Sequence, residues 1–286
     1  MTPPTCISHN GVFLPPSSAA VSVLNPAIYG AYGVYESLQL ANGLIFAKES
    51  HLARLEHSAH VIGLPLPATL EVIGRWIDEV VAFEAVCAGT VRLFALGPDN
   101  GGAPSAYIWV QPPTVHPPAF YTQGATAVTF EARRYLPEAK SLNSLASYMA
   151  QRHARASGVH EALLHHDGQL TEGSNSNLFA VIDGELITPP ATEVLSGVTR
   201  DIAVMLARRA GLPIREAPLL LSEMRRWSEC FITSTSRHVM PVTQVDGEPI
   251  GEGAVGWFTT RLHASYEEYF AGEIVRQARS GWQASE

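Results

Sequence analysis

The sequence predicts a mixed α/β chain organised in two parts. Helical periodicity and strand-like alternation occur in both halves, and one proline-rich stretch separates them. The 286 residues suffice for two domains of ~150 residues each. The stretch, QPPTVHPPAFYTQG (111–124), holds four prolines. Proline fixes φ and removes a backbone donor, so this segment reads as an extended connector, neither helix nor central strand. The expected division is a small N-terminal α/β domain over 1–117, a link over 118–124 and a larger C-terminal domain over 125–286.

The elements follow in order. Residues 21–40 mix turn formers with short apolar runs, and 43–47 complete a hairpin. In HLARLEHSAHVIGL (51–64), Leu52, Leu55, Ala59 and Ile62 share one helical face. A second helix is predicted over 69–85, then strands near 90–96 and 106–110. Beyond the link, 125–132 reads as a strand, 144–157 as a helix and 161–165 as a strand. Asp167-Gly168 is a turn dipeptide, and 177–182 and 185–188 flank Asp183-Gly184 as a hairpin. A helix over 199–210 stops at Gly211, with Pro213 beyond. A short strand at 231–236 and a helix within 252–270 complete the pattern.

Composition removes several function classes. Hydrophobic residues reach 46%, as in a globular protein, and the net charge of −8 comes without a basic stripe, which argues against nucleic-acid binding. No run approaches the ~18 apolar residues of a membrane span. Cys6, Cys87 and Cys230 are too few and too scattered for a disulfide framework or a zinc site, and the histidines lack zinc spacing. The N-terminal MTPPTCISHNGVFLPP lacks the basic start and apolar run of a signal peptide, so a cytoplasmic protein is expected.

The basic residues are more informative. Seventeen of nineteen are Arg, and only Lys48 and Lys140 are Lys. An amine that must lose its proton and condense with a carbonyl has to be Lys, because guanidinium stays protonated. Lys140, in RYLPEAKSLNSLASYMA, stands where an extended segment gives way to a helix, a place that suits a functional group. A solvated lysine beside a helix start is the ordinary alternative. Lys48, in FAKESHLARL, has a surface context. In TEGSNSNLF, Glu172 is followed by Gly and a Ser/Asn cluster, either as a polar turn or as a carboxylate that stabilises a buried cationic nitrogen. Gly197, Val198 and Thr199 open an amphipathic helix whose free N–H groups suit a phosphate, although Thr199 also fits a plain N-cap. FITSTSRH gathers the hydroxyls of Thr233, Ser234, Thr235 and Ser236 at a strand end. No phosphate-loop lysine and no G-x-S-x-G motif competes.

In this order and spacing, GVYESLQL, HLARL, EAKSLNSL, TEGSNSNLF, LSGVTRD, FITSTSRHVMPV and VDGEPIGEG resemble the class IV aminotransferases, the pyridoxal-phosphate enzymes of fold type IV, over almost the whole chain. The resemblance implies pyridoxal 5′-phosphate held by Lys140 as a Schiff base, with Lys140 also moving the proton at the substrate's Cα. It implies that Glu172 keeps the pyridine nitrogen protonated. The phosphate would rest on Val198, Thr199, Arg54, Ser234 and Thr235, and Leu195 would pack against the ring. Tyr35 and Arg92 are substrate-side candidates, and Arg237 and His238 would face either the substrate or the dimer partner. KSLN and TEGSxSN are similar to the D-amino-acid aminotransferases, yet the loop GPDNGGAPS (97–105) lacks that group's R-x-H element. Arg92 stands where branched-chain aminotransferases carry the Arg of Y-x-R, with Thr90 in place of the Tyr. His238 stands where both groups usually carry an acidic residue.

The implied activity is transfer of an amino group between an α-amino acid, with D-amino acids favoured, and a 2-oxo acid such as 2-oxoglutarate or pyruvate. Branched-chain L-amino-acid or (R)-amine transamination and aminodeoxychorismate lysis are alternatives within the family. A non-catalytic binding protein is a further class, against which the intact Lys140 and Glu172 speak. A homodimer is implied as well, with neither nucleic-acid nor membrane partner.

Overall fold

Alternation along GVYESLQLA places Val34, Leu38 and Leu40 on one face of a strand and Tyr35, Ser37 and Gln39 on the other. This strand belongs to the first of two units in a computed structural model that describes residues 4–98 and 102–283. The first unit comprises Met1–Thr114, Ala139–Asn143 and Phe270–Glu286, and the second Val115–Glu138 and Ser144–Tyr269. The division is therefore discontinuous in sequence, with 139–143 returning to the first unit. Residues 99–101, inside the loop whose composition bears on carboxylate recognition, lie outside the described residues.

The first unit is an antiparallel sheet in the order Val12–Leu14, Ile7–His9, Ser105–Gln111, Ala88–Leu96, Gly33–Ala41, Leu44–Ile45. Asn42 and Gly43, both at positive φ, form the tight turn that joins the last two strands. Helices Lys48–Val61 and Leu70–Glu84 follow, the second capped by Thr69, whose hydroxyl accepts from Val72 N–H. Their apolar residues Leu55, Ile73, Ile77 and Val80 meet Val34, Leu38, Val91, Leu93 and Ile108 in one core. Below residue 38, strand Gly33–Ala41 has a free edge, and 140–142 occupies it. There Tyr35 N–H donates to Lys140 O at 2.9 Å, Leu142 N–H donates to Gly33 O at 2.9 Å, and Val34 pairs with Ser141.

In the second unit six strands close a hydrogen-bonded ring. They run Ser176–Ile182, Trp227–Ser234, His238–Val245, Ala125–Glu131, Glu161–His166 and Gln169–Gly173, and the last pairs back onto the first. Closure explains why Ser176–Ile182 is buried at every position, although its sequence lacks strict alternation. The hairpin expected at Asp183-Gly184 is present, both residues at positive φ. Helices Leu145–Ala156 and Val198–Arg209 pack on the strands, and Trp257–Gln283 is the last helix.

The proline-rich stretch departs from expectation, since it contains a one-turn helix, Ala119–Thr122. The prolines precede that turn, where their missing N–H groups cost nothing, and the carbonyls of Pro117 and Pro118 accept from Phe120 and Tyr121 N–H.

Candidate active site

The two lysines separate at once. Lys48 donates to both carboxylate oxygens of Asp78, at 2.9 and 2.8 Å, in an exposed surface pair. Lys140 is half-buried on the short edge segment, its backbone fixed by Tyr35 and by Ser58, whose hydroxyl accepts from Lys140 N–H at 3.0 Å. Its Nζ lies 4.7 Å from the centroid of the Tyr35 ring. The extended backbone of 139–143 thus holds one amine in place over an aromatic face.

Behind that strand lies a buried charge cluster. Glu36 Oε1 accepts from Arg54 Nε at 2.7 Å, Oε2 accepts from Arg54 Nη2 at 2.7 Å, and His51 Nδ1 is 2.9 Å from Oε2. Burial alone would raise the Glu36 carboxyl, but the charge and hydrogen bonds of Arg54, with those of His51, more than offset it and hold it far below the usual range. Burial depresses His51, and the positive charges of Arg54 and Lys140 push the same way against Glu36. Arg54 is therefore a guanidinium held in one orientation by a two-pronged carboxylate.

Arg92 projects from strand Ala88–Leu96 on the Tyr35 side of the sheet. Its Nη1 donates to Ser37 Oγ at 2.5 Å, and its guanidinium carbon stands 5.6 Å from the Tyr35 ring and 5.7 Å from the Phe94 ring. Its Nε is buried with no hydrogen-bond partner among the described residues.

In the second unit, Glu172 sits on strand Gln169–Gly173 with 4% of its surface exposed. Its Oε2 accepts from Leu195 N–H at 3.3 Å, and Arg134 Nη1 lies 3.5 Å from Oε1. Asn177, paired across the strands with Glu172, donates to Leu195 O at 2.8 Å and so pins the residue expected against a cofactor ring. Gly197 lies so close to Asn177 that a Cβ would come within 1.9 Å of Oδ1. Only glycine fits there, and it admits helix Val198–Arg209, which starts with no side-chain cap.

Two further groups lie in the same unit. Burial pushes the Tyr266 phenol well above its ordinary range, and Thr199 works the other way. Thr233 Oγ1 and Ser234 Oγ are buried with no hydrogen-bond partner among the described residues. Unpaired hydroxyls and an uncapped helix start in one unit are the donor set that a phosphate requires, so these residues fit the phosphate of pyridoxal phosphate. Thr235, half-buried, follows in the same turn.

Arg237 and His238 each have a protein partner. Arg237 Nη1 pairs at 3.0 Å with Glu161, a buried carboxylate that also accepts from the Ser174 and Ser176 hydroxyls. Tyr121 OH donates to Arg237 O at 3.1 Å. His238, at positive φ, places Nδ1 2.6 Å from Glu267 and its ring 4.9 Å from Tyr266. Burial works against the Glu267 carboxylate, but His238 and His263 hold it below its ordinary value.

The family model for amino-transferase class IV matches residues 33–245. The chain belongs to the class IV aminotransferases. It is 32% identical over 274 residues to a Methanocaldococcus jannaschii protein with the provisional name branched-chain-amino-acid aminotransferase, covering 91% of this chain and 94% of that one. It is 32% identical over 272 residues to a D-alanine aminotransferase of Listeria innocua, covering 91% and 93%. Among solved structures, a T.th. branched-chain amino acid aminotransferase complexed with N-(5′-phosphopyridoxyl)-L-glutamate matches at a TM-score of 0.87 and 27% identity, covering 95% of this chain and 96% of that one. This aminotransferase is thus a pyridoxal-phosphate-dependent enzyme with the mixed α/β fold of its family.

Several residues of the aminotransferase escape a reading of sequence alone: Glu36 and His51 around Arg54, Arg134 beside Glu172, and Glu161 beneath the Ser174–Ser176 turn. Glu36 did leave a signal, because it occupies the apolar phase of an alternating strand, between Val34 and Leu38. Glu161 left a weaker one as the sole charge opening a fully buried run, EALL.

Proposed function

We propose that this aminotransferase moves an amino group between an α-amino acid, D-amino acids favoured, and a 2-oxo acid, with Lys140 as its reactive amine. The observation that carries this reading is the fixed placement of Lys140, clamped through its backbone and held over Tyr35 on the face that bears Arg92. Pyridoxal 5′-phosphate, when bound, supplies the electron sink for charge developing at the substrate's Cα and carries the amino group between half-reactions.

The protein's own groups do the rest. Lys140 Nζ takes the proton from Cα and returns it, a task that needs a neutral amine at a fixed position. Glu172, steadied by Leu195 N–H and Arg134, would accept from the ring nitrogen and favour its protonated form. Val198 and Thr199 N–H, with the Thr199, Ser234 and Thr235 hydroxyls, would hold the phosphate, and Arg54, aimed by Glu36, is the cation that the family resemblance assigns to the same group. Leu195, pinned by Asn177, would pack against the ring. Arg92, with its unsatisfied Nε, receives the substrate carboxylate. Arg237 and His238 hold the Ser234–Thr235 turn through Glu161 and Glu267 on the substrate side. Three free cysteines and amino-acid substrates support a cytoplasmic location.

The test is direct. Purified protein mixed with pyridoxal phosphate should develop the visible absorption of a lysine-bound cofactor, and D-alanine with 2-oxoglutarate should yield pyruvate. Lys140→Arg keeps the charge and should lower the rate by about 10³-fold or more. Failure of both D- and L-amino donors, or full activity in Lys140→Arg, would overturn the reading.

A further inference from the structure

The sheet of the first unit has one face under helices Lys48–Val61 and Leu70–Glu84, and the opposite face carries a row of rings. Register sets the row, since Tyr35 stands opposite Phe94, Phe94 opposite Tyr107, and Arg92 opposite Trp109. Side chains alternate along a strand, so these residues share one face. Phe94 meets Tyr35 edge-on at 5.9 Å and 72°, and meets Trp109 edge-on at 5.1 Å and 77°. The wall starts at the ring beneath Lys140 Nζ, passes Arg92 between Tyr35 and Phe94, and ends at Trp109. All of these residues are half-buried, so their faces are only partly covered.

We infer that this wall makes the enzyme selective for substrates with an aryl side chain, which packs against Phe94 and Trp109 while the carboxylate pairs with Arg92; the assignment rests on the transaminase reading above. Three features carry it. Arg92 has a buried donor without a partner, which a carboxylate would satisfy. The rings beside Arg92 already meet edge-to-face, and a further ring extends such an array with its own quadrupole in register, which an alkyl chain cannot do. The reactive amine lies against the first ring of the same wall, so carboxylate, reacting carbon and side chain of one small molecule all find partners on one face. A methyl side chain would leave the open faces of Phe94 and Trp109 uncovered.

The deciding measurement uses a substrate-like acid that cannot react. Calorimetric titration of the protein with 3-phenylpropanoate and with propanoate should show the aryl acid binding at least about tenfold tighter. Phe94→Leu and Trp109→Leu should each collapse that ratio several-fold, whereas Arg92→Met should weaken both acids together. In the loaded enzyme, kcat/KM for D-phenylalanine over D-alanine should fall in Phe94→Leu by the same factor as the binding ratio. Equal binding of the two acids would overturn the inference, as would an unchanged ratio in Phe94→Leu. A change of oligomeric mass in Phe94→Leu with the ratio intact would overturn it too, because a second copy would then own the wall. The two readings fail separately. Aryl-selective binding without turnover of any donor would defeat the transaminase reading alone, and turnover of D-alanine without aryl preference would defeat this one alone.

Discussion

Glu36 shows how much one residue can organise. It stands in the apolar phase of its strand with 1% of its surface exposed, and it is kept there by a bidentate Arg54 and by His51. Removing one partner of a buried pair leaves the other uncompensated, so Glu36→Gln should lower stability by about 3 kcal/mol. The sign of the pH dependence follows from the shift. Glu36 is depressed in the folded protein, so its contribution is full above the carboxyl's ordinary value of 4.5 and is lost as pH falls toward the much lower folded value. Urea unfolding at a series of pH values should therefore show the gap between wild type and Glu36→Gln wide at neutral pH and narrower in acid. A constant gap would refute the pairing as its source. Lys48 is the contrasting residue. With its carboxylate partner exposed, Lys48→Met should change stability by less than about 1 kcal/mol and leave amino transfer intact.

At the scale of elements, the start of helix Val198–Arg209 depends on a missing atom. Gly197 makes room for Asn177, which holds Leu195 in turn. Gly197→Ala should cost about 1–3 kcal/mol in overpacking and tilt the first turn of the helix. Its cofactor signature is selective: affinity for pyridoxal phosphate should drop, while that for pyridoxal, which lacks the phosphate, should hold. Equal losses for both would mean that the helix start has no special role toward the phosphate. The existence of this element is readable from local pattern, since periodicity marks the helix and Gly211 with Pro213 marks its end. The one-turn helix Ala119–Thr122 is not, because four residues carry no period and its hydrogen bonds depend on how the two preceding prolines turn the chain.

At the scale of the whole molecule, the second unit closes its strands into a ring, and the first unit carries a run of exposed large apolar side chains. Val23, Leu24, Ile28 and Tyr29 are 58–78% exposed within seven residues of chain. Such a patch on a protein of this kind fits an interface, and a second copy is the partner that the family resemblance implies. Light scattering should give a dimer mass, and Val23→Glu with Leu24→Glu should shift it toward the monomer. A monomeric wild type would remove the patch from consideration as a dimer contact.

Local sequence marked the longer helices and strands, because periodicity and turn residues act within a few positions. It also singled out Lys140, because imine chemistry admits no substitute for an amine and motif order separates Lys140 from Lys48. Tertiary structure decided the rest. Arg54 meets Glu36 across 18 residues, Arg237 meets Glu161 across 76, and Tyr35, Phe94 and Trp109 form one wall only through the register of three strands. Whether a charge is paired, or a ring has a neighbour, depends on which strands lie side by side, and strand order is a property of the closed sheet that no local pattern encodes.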